Sequence, residues 1–149
     1  MQNIVIQIKR TAGCEDIPLP RCMTPHAAGM DICAAVEQET ILQPGMRALI
    51  PTGLSIALPP GYEAQIRPRS GLAIRHGIGL LNAPGTIDAD YRGQIKIIMI
   101  NLGQEPFPIR RGDRIAQMVI QRVVASSWDL TDKLPETDRN DGGFGHTGQ

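Results

Sequence analysis

The chain has 149 residues, enough for one domain that buries about two-thirds of the surface its unfolded form exposes. Fifteen acidic and fifteen basic residues give a formal charge of zero. This excludes a global positive field that would draw in a nucleic-acid backbone or an anionic membrane, so any anionic ligand must be held locally.

From the N-terminus, Ile4, Ile6 and Ile8 recur with a period of two, which predicts a half-buried strand. No charged leader precedes an apolar stretch and no run reaches membrane-spanning length, so the expectation is a soluble, cytoplasmic protein. Cys14, Cys22 and Cys33 are odd in number and lack a C-x-x-C pair, while His26, His76 and His146 stand singly. Neither a disulfide framework nor a transition-metal cage is supported, and a metal, if used, should be a hard, oxygen-liganded one. Ala27-Ala28-Gly29-Met30-Asp31-Ile32 sets one acid among small and apolar residues. Such a carboxylate needs a partner, which could be a bound metal, a salt bridge or a turn.

Alternation returns at Leu54, Ile56 and Leu58 and at Tyr62, Ala64 and Ile66. Turn signals at Pro44-Gly45, Pro51-Thr52-Gly53, Pro59-Pro60-Gly61, Pro84-Gly85 and Arg111-Gly112-Asp113 separate short strands, the pattern of an all-β sandwich or barrel. One helix is expected, with Ser70 as its N-cap, Leu72, Ala73 and Ile74 inside, and Gly77 as its stop. Arg67-Pro68-Arg69-Ser70-Gly71-Leu72 puts cations, a hydroxyl and a glycine at that helix start. The arrangement suits a phosphate and equally suits a capped surface helix.

Asn82 precedes Ala83-Pro84-Gly85, where its amide can read the edge of a planar heterocycle or serve an ordinary turn. Gly85-Thr86-Ile87-Asp88-Ala89-Asp90-Tyr91-Arg92-Gly93 then crowds two acids and a tyrosine into a glycine-bounded segment. If extended, it would aim both carboxylates at one face; the alternative is a solvated hairpin tip. Residues 94–101 and 114–124 are rich in Ile and Val on both faces and predict central strands buried between layers. Gln117, among apolar neighbours, reads as an inward-facing amide in need of a partner, for which a ligand phosphate would serve.

Past Trp128 the chain has too few large apolar residues to form a core strand. Residues 1–128 are therefore expected to form the β-barrel core, and residues 129–149 a C-terminal arm and glycine-rich lid of the same domain. Arg139 and Phe144 among glycines supply a cation and a flat face in a segment able to close over a nucleotide. Phosphate donors, isolated acids, a base-reading amide and an aromatic lid together point to a nucleoside polyphosphate.

Five segments in order carry a resemblance: Ala28-Gly29-Met30-Asp31-Ile32, Arg69-Ser70-Gly71-Leu72, the segment from Gly85 to Gly93, Gly112-Asp113-Arg114-Ile115-Ala116-Gln117, and residues 139–148. In these the chain resembles the trimeric deoxyuridine triphosphate nucleotidohydrolases, the dUTPases. The resemblance implies a jelly-roll-like β-barrel subunit with one short helix, in a homotrimer with C-terminal arm exchange and active sites at subunit interfaces. It implies Mg²⁺-dependent hydrolysis of dUTP to dUMP and pyrophosphate, which limits uracil incorporation into DNA and supplies dUMP for thymidylate synthesis. Asp88 would activate the water, Tyr91 would pack on the deoxyribose and exclude a 2′-hydroxyl, and Asn82, Thr86, Ile87 and Lys96 would complete the base and sugar pocket. Arg69, Ser70, Gly71 and Gln117 match phosphate contacts, and Asp31 matches an acid reaching magnesium through water. In the lid, Arg139, Gly145, His146 and Thr147 would meet phosphates and Phe144 would stack on the uracil. Asn140 and His146 depart from the glycine and serine usual in this family, which leaves His146 to act through its backbone N–H. Two other readings share the fold: a dCTP deaminase-like enzyme, for which no Glu lies in the base-pocket motifs, and a noncatalytic nucleotide-binding regulatory trimer.

Overall fold

In the computed structural model, which describes residues 4–142, the chain is built from strands and one short helix. β1 (Gln7–Arg10), β2 (Arg21–Cys22), β3 (Met30–Cys33), β4 (Thr40–Leu42), β5 (Arg47–Pro51), β6 (Leu54–Ala57) and β7 (Tyr62–Arg67) precede helix α1 (Ser70–His76). β8 (Ile78–Leu80), β9 (Gly85–Ile87), β10 (Lys96–Asn101), β11 (Phe107–Ile109) and β12 (Arg114–Arg122) follow it. The all-β, jelly-roll-like subunit with one short helix expected from sequence is therefore the architecture found.

Every strand pairing among the described residues is antiparallel. A five-stranded sheet runs β2-β3-β12-β7-β9, a three-stranded sheet runs β5-β10-β8, and β1-β6 and β4-β11 form two ribbons. The inner faces share one core, in which Ile32, Ala64, Ile66 and Met118 of the larger sheet pack with Ile50, Ile78, Ile97 and Met99 of the smaller. Burying each such large side chain contributes about 1.5–3 kcal/mol, which is what holds the two layers face to face. The two strands expected to be central occupy the middle of the two larger sheets, β12 in one and β10 in the other.

Three local expectations are corrected. Residues of β1 are exposed throughout, because this strand pairs only with β6 and lies outside the two-layer core; Ile8 is 37% exposed, and Ile6 alone of the three isoleucines packs against the core. β10 buries only one face within the chain: Ile97, Met99 and Asn101 turn inward, whereas Ile98 and Ile100 remain half-buried. Ser70 is the first helical residue, not the cap; Arg69 takes the N-cap position with extended backbone and no side-chain capping bond. The predicted stop holds, since Gly77 adopts φ 67° and returns its N–H to Ala73. A side chain there would also strike the backbone of Gly103, so the helix can end and β8 begin only with glycine at this position.

Candidate active site

The connection from β8 to β9, which crosses from the smaller sheet to the larger, the turn after β9 and the start of β10 enclose a cleft of about 540 Å³. Asn82, Thr86, Ile87, Asp88, Tyr91 and Lys96 all line it. The structure thus gathers every base-and-sugar candidate within the described residues into one concave site. Register explains how: β9 pairs with β7 so that Ala64 faces Ile87, Gln65 faces Thr86 and Ile66 faces Gly85. Gly85 is buried, and its Cα lies so close to Ile66 and to the Asn82 amide that a Cβ would reach both at 3.4 and 3.3 Å. Leu49, Ile66, Leu80 and Ile98 supply the apolar walls, a contribution no sequence motif announces.

The acidic segment is not extended. Tyr91 N donates to Asp88 O at 3.1 Å, closing a turn that separates Asp88 from Asp90, so the two carboxylates do not share a strand face. Asp88 is exposed and, among the described residues, its carboxylate has no hydrogen-bond or ion-pair partner. The Tyr91 ring lies back across the turn, its hydroxyl donating to Gln94 O at 3.1 Å. That pose needs Gly93, because a Cβ there would collide with the ring. Arg92 Nη1 ties the turn by donating to Ala89 O at 2.7 Å and Tyr91 O at 2.9 Å.

The phosphate candidates form a second cluster. Gln117 of β12 faces Asp31 of β3 on one side and Arg67 of β7 on the other. Asp31 is held by Arg69 Nε at 3.4 Å and by Arg114 Nη1 at 3.0 Å, while Arg69 Nη1 donates to Arg114 O at 2.7 Å. The salt-bridge reading of Asp31 is therefore the one the side chains adopt. Gln117 is not an inward-facing core amide: it is half-buried, and its Nε2 donates to Pro68 O at 2.9 Å. Gly29 makes room for it, since any Cβ at that position would collide with the Gln117 Oε1. Ser70 and Gly71 open α1 beside this cluster.

None of Arg69, Ser70, Gly71, Gln117 or Asp31 lines the base-and-sugar cleft. Asp31 lies on β3, separated from β9 by two intervening strands of the same sheet, which at the usual strand spacing is about 14 Å. Arg139 does not line the cleft either: its Nε donates to Gly142 O at 2.7 Å within a local turn in which Asn140 takes φ 41°. Phe144, Gly145, His146 and Thr147 lie outside the described residues. Trp128 and Leu130 are almost fully exposed, at 98% and 99%, on a segment without strand or helix.

Among the described residues no group of three or more His, Cys, Asp or Glu side chains could enclose a metal ion. Asp31 offers a single hard carboxylate, already shared by two guanidiniums. This donor set fits magnesium only as an outer partner, with the ion carried chiefly by ligand oxygens. No helix of the described residues is long and apolar enough to cross a membrane.

A family model described as dUTPase matches residues 15–148. A deoxyuridine 5'-triphosphate nucleotidohydrolase of Thermoanaerobacter sp. (strain X514) is 59% identical over 146 residues, covering 98% of this chain and 99% of the relative. The protein of the same description from Syntrophotalea carbinolica is 53% identical over 148 residues, covering 99% of each. Among solved structures, a point mutant of the Staphylococcus bacteriophage 80alpha dUTPase with dUpNHpp superposes with a TM-score of 0.87 at 22% identity, covering 99% of this chain and 100% of that one. A mutant dUTPase from phage phi11 of S. aureus, reported for its coordination of a structural Mg(II) ion, gives 0.77 at 21% identity, covering 87% and 98%. At that identity the structural likeness speaks for the fold.

Proposed function

The chain belongs to the dUTPase family, and on that premise we propose that it hydrolyses dUTP to dUMP and pyrophosphate. The observation that carries this reading is the cleft in which one unpartnered carboxylate, Asp88, stands beside Tyr91, Asn82, Thr86, Ile87 and Lys96. Asn82 and the backbone of the β8–β9 connection and of Lys96 receive the uracil. Tyr91 packs its ring on the sugar. Asp88 takes a proton from a water as its oxygen attacks the α-phosphorus in line, and pyrophosphate leaves.

The phosphates are assigned to Arg69, Ser70, Gly71 and Gln117, with Arg139, Gly145, His146 and Thr147 closing from the arm and Phe144 covering the base. Magnesium, when bound with the triphosphate, would neutralise charge on the phosphate oxygens, and Asp31 would reach it through water. Because cleft and phosphate cluster stand apart within one chain, the complete site is assigned to the interface of a homotrimer, with one subunit giving the cleft and another the phosphate contacts. By consuming dUTP and releasing dUMP, such an enzyme limits uracil in DNA and feeds thymidylate synthesis.

Purified protein incubated with dUTP, dCTP, dTTP and UTP should release pyrophosphate selectively from dUTP. Asp88→Asn should bind dUTP while losing about 10²- to 10⁴-fold in kcat, the usual worth of a general base. Ammonia release from dCTP would instead identify a deaminase, and binding of dUTP without turnover a regulatory protein. Unchanged turnover in Asp88→Asn would show that another group is the base.

A further inference from the structure

Gln94 is a wall of the cleft to which neither the motifs nor the proposed chemistry gives a role. Its backbone carbonyl accepts the Tyr91 hydroxyl at 3.1 Å, and its side-chain Nε2 donates to Thr11 Oγ1 at 3.0 Å, 83 positions away in sequence. The same residue borders a second cavity, of about 650 Å³, bounded by residues 11–14, residues 35–40 and Arg111. It therefore stands in the partition between the two spaces. Its Oε1 is buried and, among the described residues, has no hydrogen-bond partner.

Two features argue that this amide is kept for something other than stability. A buried acceptor without a partner costs folding free energy that an apolar side chain of similar volume would not. Local rules broken in this way concentrate at functional positions. The surroundings show what the amide can control. Tyr91 is 44% exposed on a surface turn, and the next two residues are the exposed Arg92 and the side-chain-free Gly93. On the far side Ile95 is pinned, its N–H donating to Leu54 O at 2.8 Å and its carbonyl accepting Thr52 Oγ1 at 2.7 Å. Position 94 is the junction between the pinned Ile95 and the exposed turn. The orientation of its carbonyl fixes where the tyrosine hydroxyl, and hence the ring, comes to rest.

We propose that Gln94 is a positioning residue: anchored through Thr11, it holds the carbonyl that sets the Tyr91 ring and thereby sets how strictly the site rejects a 2′-hydroxyl. The inference rests on the reading of the cleft as a deoxynucleotide site. Its test compares kcat/KM for dUTP and for UTP in the wild type, Gln94→Leu, Thr11→Val, Thr11→Ser and the Gln94→Leu/Thr11→Val double variant, with thermal unfolding of each.

Gln94→Leu and Thr11→Val should each lower the dUTP-to-UTP ratio roughly tenfold, in the range that a misplaced pocket wall costs. The double variant should lose no more than either single one, and Thr11→Ser, which keeps the hydroxyl, should retain the wild-type ratio. Gln94→Leu should unfold no earlier than the wild type, since it removes the unpaired acceptor. A ratio unchanged in both single variants, whatever their stability, would overturn the proposal; so would additive losses in the double variant. Thr11 is exposed, so its variants test the link even if Gln94→Leu fails to fold. Failure of the wild type itself to hydrolyse dUTP would overturn the underlying reading first, and is told apart by needing no variant.

Discussion

Two glycines matter here for the space they leave. Gly93 lets the Tyr91 ring fold back over its own turn, and Gly29 leaves the hollow occupied by the Gln117 amide. The second case separates folding from binding. The atom in the way at Gly29 is the end of a flexible side chain, so Gly29→Ala should fold normally while pushing Gln117 off the Pro68 carbonyl. A hydrogen bond to a charged phosphate contributes about 1.5–3 kcal/mol, so the expected result is a KM for dUTP raised at least tenfold with little change in unfolding temperature. An unaltered KM in a well-folded variant would remove Gln117 from the phosphate contacts. The sequence could name Gly29 and Gln117 as members of separate segments, but their contact was not readable, because it is made by the pairing of β3 with β12.

Strands with a clear apolar pattern were legible in the sequence; the shortest ones, and β3 and β5, which show no such pattern, were not. β6 and β7 alternate over four and six residues, while β10 and β12 lie in longer runs rich in Ile and Val, and their places follow from those patterns. β2, β4, β9 and β11 have two or three residues each, too few for any period, and exist because a neighbour supplies their hydrogen bonds. The β12 bulge between Arg114 and Ala116 was equally hidden; it explains why the adjacent Ile115 and Ala116 are both buried. Before β12, Arg111 fastens the turn to the N-terminal segment, gripping Asp16 through two nitrogens at 2.7 and 2.8 Å and donating to Gly13 O at 2.6 Å. The Arg111 hydrogen bond holds the Asp16 carboxyl below its ordinary value of 3.8. A depressed carboxyl contributes stability above its unfolded pKa and loses it as pH falls through the folded one. Asp16→Asn should accordingly be less stable than the wild type in urea at pH 7, and the gap should close at pH values well below 3.8. A gap of the same size in acid would mean that geometry, not charge, is what Asp16 contributes.

At the scale of the molecule, the proposed site residues fall in two separate places and, among the described residues, the segment after β12 leaves large apolar side chains exposed. The cleft holds the proposed base and the sugar wall; the cluster of Asp31, Gln117 and Arg69 is spread over β3, β12 and the residues just past the end of β7, with Asp31 about three strand spacings from β9, and none of the three lines the cleft. Residues beyond β12 expose Val124, Trp128, Leu130 and Leu134 at 75% or more, more apolar surface on one strand-free segment than a chain end leaves in water without a partner. Both facts are accounted for if neighbouring subunits complete the site and receive the arm. Asp88→Asn, impaired in turnover, and Gln117→Ala, impaired in affinity, should then together exceed either homogeneous variant at limiting dUTP when the two are unfolded together and refolded as mixed oligomers, because some interfaces combine an intact cleft with an intact phosphate cluster. That excess would be absent if each chain worked alone. The lone tryptophan, Trp128, gives an independent reading of the arm: if a neighbouring subunit receives it, its emission should be that of a buried indole and should shift to the red when dilution or mild denaturant separates the subunits. Emission already characteristic of water in the assembled protein would place the arm in solvent and require the phosphate-closing residues to be sought elsewhere in the chain.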